Sequence, residues 1–297
     1  MKPDYVTVSF SGGKDSTAMV LHMIELGEHI DEVINLDTGQ EFPDMYVHIE
    51  KVKKIIEDAG IKYTCLRSPH SFEYYLYEVE VKTEKYGTHY GHGWPTARIR
   101  WCTGILKDRL VQAHLKDLRT RYNVIQCVGL ASDEVKRLNR PHNQKTEFRH
   151  PLVSWGWTEK DCLEYCRSKG FDWNGLYDRF ARVSCWCCPL SRLSEHYKLW
   201  KYYPDLWDKL LSWESRIEAN DPNHTRPKYR TNYTVKELTK KFERMEKSRR
   251  CQSSLLDFDG LILPQNITIS DTPKKMESVS VGYRSENGKL DRGDAEH

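Results

Sequence analysis

The segment that most constrains this chain is Ser11-Gly12-Gly13-Lys14-Asp15-Ser16, set between two regular elements. Residues 5–10 before it are short, β-branched and aromatic, and predict a strand. Residues 17–24 after it predict a helix. Two adjacent glycines let backbone N–H groups approach an anion closely. A helix start adds unpaired donors and a partial positive charge. Lys14 supplies a cation, and Ser11 and Ser16 supply hydroxyl donors. The pattern predicts a phosphate cradle at the carboxyl end of a first strand, where open α/β sheets bind ligands. It is not the P-loop pattern G-x-x-x-x-G-K-[ST]. A tight glycine turn with solvated side chains is the plain alternative, disfavoured by the strand–loop–helix context. Gly12→Val is expected to block phosphate approach and leave the fold largely intact.

The rest of the chain continues the alternation. Residues 33–36 predict a second strand ending at Asp37-Thr38-Gly39, residues 44–59 a helix and residues 63–66 a third strand. Such βαβαβ order argues for a parallel sheet with helices on both faces. Residues 68–100 read as irregular, 104–118 as a helix, 123–130 as a strand. Thr158 caps a further helix with Asp161 in the reciprocal position, and Gly170 ends it. Residues 193–250 predict two or three amphipathic helices. The expected fold is α/β, a doubly wound mainly parallel sheet of about five strands with a C-terminal helical extension. The expected domains are a nucleotide-binding unit at 1–190, helices at 191–263 and a loose polar tail at 264–297. No apolar run approaches the roughly 18 to 20 residues a membrane span needs, and mean hydropathy is −0.73. The N-terminus reads straight into the predicted first strand, so no signal peptide is expected. A cytoplasmic protein with no membrane partner is expected.

Nine cysteines is an odd number, and three of them fall within Cys185-Trp186-Cys187-Cys188. Such a cluster points to metal binding or redox chemistry rather than disulfides. Cys185 and Cys188 form a C-x-x-C, whose spacing lets two thiolates chelate one metal or cluster. A second C-x-x-C, usual for zinc, is missing. Cys102 stands just before the helix expected at Gly104, whose positive end would favour thiolate. Cys65, Cys127, Cys162 and Cys166 are expected to be buried small hydrophobes.

The hexapeptide resembles the S-G-G-x-D-S pyrophosphate loop of the adenine nucleotide alpha hydrolase (PP-loop) superfamily. More narrowly, the chain resembles the phosphoadenosine phosphosulfate (PAPS) reductase family. Residues 36–43, Leu-Asp-Thr-Gly-Gln-Glu-Phe-Pro, resemble its D-T-G-x-x-F/Y-P segment. Residues 101–107, Trp-Cys-Thr-Gly-Ile-Leu-Lys, resemble its Cys-containing segment. Residues 129–134 resemble its G-x-R-x-x-E segment, with Ala131 where Arg is common, and Pro151, Leu152, Trp155 and residues 157–161 resemble its P-L-x-x-W-x-x-x-D segment. The resemblance implies ATP or PAPS with its phosphates on Ser11, Gly12, Gly13, Lys14, Asp15 and Ser16. It places the base near Asp37, Thr38 and Gly39. Lys107 and Arg109 either approach phosphate or sulfate or lie solvated on a helix face. In related thiolating enzymes a lone Cys plus a C-x-x-C holds a [4Fe–4S] cluster. Cys102, Cys185 and Cys188 fit that arrangement, with Cys187 as a fourth or catalytic thiol and zinc as the alternative metal. Sulfonucleotide reductases carry a Cys in a C-terminal E-C-G-type tail. Here the last Cys, Cys251, lies in Arg-Arg-Cys-Gln-Ser instead.

Charge adds a partner. The chain holds 46 Lys or Arg against 43 Asp or Glu, a net +3. Residues 94–150 alone hold 12 against five, a net +7. Arg98, Arg100, Lys136, Arg137 and Arg140 flank the expected site loops, and Trp94, Trp101 and Phe148 are candidates for stacking on bases. The resulting expectation is an ATP-pyrophosphatase-type enzyme. ATP with Mg²⁺ adenylates an acceptor, nucleic acid (tRNA or DNA) being one candidate, and a sulfur donor or thiol reductant completes the transfer. Lys14 and Asp15 serve the phosphates and Mg²⁺, and Asp133 and Glu134 serve the acceptor, metal or a second phosphate. A sulfonucleotide reductase is the second reading. A non-catalytic nucleotide- or nucleic-acid-binding protein with structural zinc is the third.

Overall fold

The computed structural model describes residues 2–84, 87–134, 147–221 and 227–259. In chain order these form β1 (Asp4–Phe10), α1 (Lys14–Glu25), β2 (Glu32–Asp37), α2 (Pro43–Asp58) and β3 (Lys62–Arg67). A hairpin follows, β4 (Glu80–Thr83) and β5 (Gly87–Tyr90), then α3 (Arg109–Arg121), β6 (Asn123–Val128), β7 (Glu147–Arg149) and α4 (Glu159–Ser168). The last helices are α5 (Leu193–Tyr202), α6 (Pro204–Ala219) and α7 (Val235–Asp259). By compactness the chain divides into one unit, Met1–Ser248, and a second, Arg249–His297. The tail expected from Pro264 lies outside the described residues. No helix among the described residues is long and apolar enough to cross a membrane.

The five-stranded sheet has the order β3-β2-β1-β6-β7, and every pairing in it is parallel. This is the doubly wound arrangement expected. Val6, Val8 and Phe10 are buried on one face of β1 and Thr7 on the other, as a central strand covered on both faces requires. Strand order reverses between β1 and β6, so the loop after β1 opens at the topological switch point where such sheets bind ligands.

Three local expectations are corrected. The helix expected from Gly104 is entered earlier, by a helical turn at Trp101–Thr103 and a wide π-type turn at Gly104–Asp108. Trp101 anchors that early entry: its ring is buried and its Nε1–H donates to the Gly93 carbonyl at 2.9 Å. Residues 68–100 are more regular than expected, holding a π-type turn at Tyr74–Glu78 and the β4–β5 hairpin. Cys127, Cys162 and Cys166 are buried, but Cys65 is exposed, because β3 is the edge strand. The capping box at α4 is as read: Thr158 Oγ1 accepts from the Asp161 N–H, and the Asp161 carboxylate accepts from the Thr158 N–H.

Behind the loop after β1, His48 of α2 is buried with its Nε2 3.0 Å from Thr17 Oγ1 and its ring against Phe171 and Trp173. Burial, helped by Lys51, pushes its pKa down to about 3. An unfolded histidine titrates near 6.5. Between those values the unfolded chain holds a proton that the folded chain does not, so stability falls as pH drops through this window. The slope is at most about 1.4 kcal/mol per pH unit. His48→Gln should flatten it, read as the change in urea midpoint between pH 7 and pH 5. Buried His196, lowered to about 4, supplies a residual slope.

Candidate active site

The loop after β1 is built around Gly12, which holds φ +77°. A Cβ there would stand 2.7 Å from Ile49 Cγ1 and 2.8 Å from Met45 Sδ. Gly13 is the N-cap of α1 and carries no side-chain cap bond. Two side chains brace the loop from the segment after α4: Trp173 Nε1–H donates to the Gly12 carbonyl at 2.8 Å, and the Tyr177 hydroxyl accepts from the Lys14 N–H at 2.9 Å. Trp173 and Asn174 reach that position with φ +51° and +53°, a costly conformation for so bulky a residue as Trp. Ser16 Oγ accepts from the Ser11 N–H at 3.1 Å and donates to the Gly13 carbonyl at 3.0 Å. Gly129, after β6, lets the neighbouring loop close on this one, since a Cβ there would come within 3.0 Å of the Ser16 backbone.

Lys14 is nearly covered, its side chain 10% exposed, with Nζ 2.9 Å from Asp15 and 2.5 Å from Glu159. Burial works to lower its pKa, but Asp15 and Glu159 hold it above the ordinary value. Asp15 is raised by burial against the pull of Lys14, with Glu159 and Glu134 adding to the rise. Asp133 accepts from the Glu159 N–H at 3.2 Å and so ties the loop after β6 to the start of α4. Lys14, Asp15, Glu134 and Glu159 thus converge. Glu159 was missed in the sequence because it reads as an ordinary first-turn acid of a capped helix.

The loop after β2 carries the second half. Asp37 pairs with Arg67 and accepts from the Gly39 N–H at 2.7 Å and the Tyr46 hydroxyl at 2.9 Å. Burial opposes ionisation, but Arg67 and these donors keep its carboxyl below the usual range. The Cys185–Cys188 turn docks on the same loop: the Trp186 N–H donates to the Gln40 carbonyl at 3.1 Å, Cys185 Sγ lies 3.9 Å from Thr38 Oγ1, and it donates to Glu41 at 3.4 Å. Glu41, also missed in the sequence, is raised by burial, with Lys107 opposing. The Lys107 pKa is raised by Cys185 first, against burial, and by Glu41, Cys102 and Cys188. Its neighbours are therefore the thiols, whereas Arg109 is exposed.

The cysteines bring one correction. Cys102 lies inside the Trp101–Thr103 turn, not ahead of a helix, and burial, then Cys188, raises its pKa. Cys187 is 2% exposed within the hydrophobic core, and burial raises it well above the ordinary value. Among the described residues, no group of three or more His, Cys, Asp or Glu side chains is arranged to hold a metal ion. The base-stacking expectation is corrected too: Trp94 and Trp101 are 3% and 7% exposed and pack in the core. Arg98 and Arg100 are exposed, and Lys136, Arg137 and Arg140 lie outside the described residues.

The phosphoadenosine phosphosulfate reductase domain model matches residues 5–191. Two uncharacterised proteins of Methanocaldococcus jannaschii are 29% and 27% identical to the chain over 231 and 252 residues, 74% and 82% of its length. The chain spans 42% and 56% of those relatives. Two solved structures align more loosely. One is the U34-tRNA thiolase NcsA of Methanococcus maripaludis with its [4Fe-4S] cluster, at 17% identity and TM-score 0.36 over 76% of this chain and 74% of that one. The other is a "predicted subunit of tRNA methyltransferase" of M. jannaschii, at 17% and 0.29 over 57% and 88%. Both scores are too low to bear on chemistry.

Proposed function

The chain belongs to the phosphoadenosine phosphosulfate reductase domain family, within the PP-loop superfamily of adenine-nucleotide-binding enzymes, and from that premise we propose that it cleaves ATP between the α and β phosphates to activate an acceptor for sulfur transfer. In this reading the triphosphate lies over Gly13 and the open start of α1, with Lys14 leaving Glu159 to meet it. Asp15 helps place Mg²⁺. An acceptor oxygen attacks the α-phosphorus, pyrophosphate leaves, and the adenylate becomes the leaving group for a sulfur nucleophile. The observation that carries the reading is the docking of the Cys185–Cys188 turn on the loop after β2, at the same carboxyl edge of the sheet as the Lys14 loop.

Cys102, Cys185 and Cys188 each act on the charge of Lys107, and thiols are the donor type that an iron–sulfur cluster takes, although among the described residues they form, as they stand, no metal-holding group. In this reading they hold a [4Fe–4S] cluster, which when bound supplies sulfur or electrons. Thr38 and Glu41 orient the Cys185 side chain, and Lys107 offsets the charge of the thiolates.

The test is pyrophosphate release from ATP and Mg²⁺ in the presence of bulk nucleic acid. Thiol-dependent sulfite release from PAPS, with no pyrophosphate from ATP, would replace this reading by the reductase one. Lys14→Ala should weaken ATP binding by about 1.5–3 kcal/mol, the range for hydrogen bonds to charged groups. Glu159→Gln should act in the opposite direction and tighten it, because Lys14 then has one competitor fewer. Equal binding by parent and Lys14→Ala, measured by titration calorimetry, removes Lys14 from the phosphate site.

A further inference from the structure

We propose that the turn Arg98-Ile99-Arg100 is a wedge that docks duplex DNA beside Cys102; the idea rests on the acceptor step of the function proposed above. Ile99 is 64% exposed, more than any other large apolar side chain recorded as exposed among the described residues. Single exposed apolar residues are common and by themselves mean little. Three further observations set this one apart.

The turn is pinned. The Thr96 N–H donates to the Ile99 carbonyl at 3.0 Å, and the Ile99 N–H donates to Thr96 Oγ1 at 3.0 Å. Its base is also fixed, because Trp101 is buried and bonded to Gly93. Ile99 is therefore presented from a fixed platform. On either side stand Arg98 and Arg100, both exposed, and neither forms an ion pair among the described residues. They open the segment that carries the +7 excess. Finally, Arg100 lies next to the turn that holds Cys102, close enough for its charge to act on that thiol. Whatever the turn binds is held beside the turn that carries Cys102.

The chemistry favours one occupant. Arginines enter the DNA minor groove while an apolar side chain such as Ile slides between base steps and unstacks them. Unpaired bases are instead held by exposed aromatic platforms, and the nearest tryptophans, Trp94 and Trp101, are buried. The shape of A-form RNA presents a wide, shallow minor groove that suits 2′-hydroxyl contacts rather than a wedge.

The experiment titrates the full chain into a short DNA duplex carrying 2-aminopurine at one central step, at several salt concentrations. RNA duplex and single-strand arms of the same sequence run alongside. Binding should weaken with salt, and Arg98→Ala and Arg100→Ala should each flatten the log–log slope by about one. Ile99→Ala should keep the slope, lose about tenfold in affinity and abolish the rise in 2-aminopurine fluorescence. The wedge is overturned if Ile99→Ala matches the parent in affinity and fluorescence, or if either RNA or single strand binds better than the duplex. ATP binding, measured in the same variants without DNA, should equal that of the parent. If the wedge signatures appear while ATP is never cleaved, the reading of the nucleotide site fails and the docking site stands.

Discussion

Protein purified without oxygen is expected to be brown and to carry about four irons per chain, and Cys102→Ser, Cys185→Ser and Cys188→Ser are each expected to lose most of that iron. The reason is the neighbourhood. Cys185 is tethered to Thr38 and Glu41, Cys188 acts on Cys102, and all three act on Lys107. Removing one of three donors leaves two, too few for a stable cluster. Cys162→Ser should keep the iron, because Cys162 is fully buried on α4 beside Asp15, away from this group. Cys187→Ser should keep it as well but lower stability by about 1–3 kcal/mol, the cost of a hydroxyl left without a partner in the core. Uptake during reconstitution should rise with pH. Burial holds the Cys102 and Cys185 thiols protonated at neutral pH, and a metal must displace those protons. A colourless protein with about one tightly bound zinc would sink the sulfur-transfer reading. The nucleotide site would be untouched by that result.

How far the sequence could be read depended on the range of the interaction. Strands β1, β2, β3 and β6 and helices α1 and α2 declared themselves by period and by glycine, because both signals are local. The capping box at Thr158 and Asp161 is local too, and it was legible to the residue. Glu159 was not. Its place against Lys14 depends on α4 packing beside α1, a contact between positions 145 residues apart. Glu41 likewise became a partner of Cys185 only through the docking of a distant turn. The early start of the helix at Trp101 was hidden because one buried indole overrode the glycine at 104. Cys65 was misplaced for a similar reason: strand pattern does not reveal which strand forms the edge.

Gly12→Val should cost the fold as well as the ligand, against the expectation from sequence that it would spare the fold. Gly12 holds φ +77°, where a β-branched side chain is strained. Its Cβ would also meet Ile49 and Met45, two buried side chains of α2 with little room to retreat. Strain and overpacking together amount to about 2–6 kcal/mol. That is a large part of the roughly 5–15 kcal/mol by which a domain is stable. The expected result is a marked fall in melting temperature, and lost ATP binding in this variant would then say nothing about phosphate. Gly13→Ala separates the two effects. Gly13 has an ordinary φ of −71°, and its Cβ would lie 3.4 Å from the Tyr177 hydroxyl and 3.6 Å from Ser11 Oγ, at normal contact. Stability should stay within about 0.5 kcal/mol of the parent. The added methyl nevertheless stands at the mouth of the loop, where a phosphate must come close to backbone N–H groups. ATP affinity should fall by at least about tenfold, or 1.4 kcal/mol. If Gly13→Ala melts like the parent and binds ATP like the parent, the phosphates do not lie on this loop.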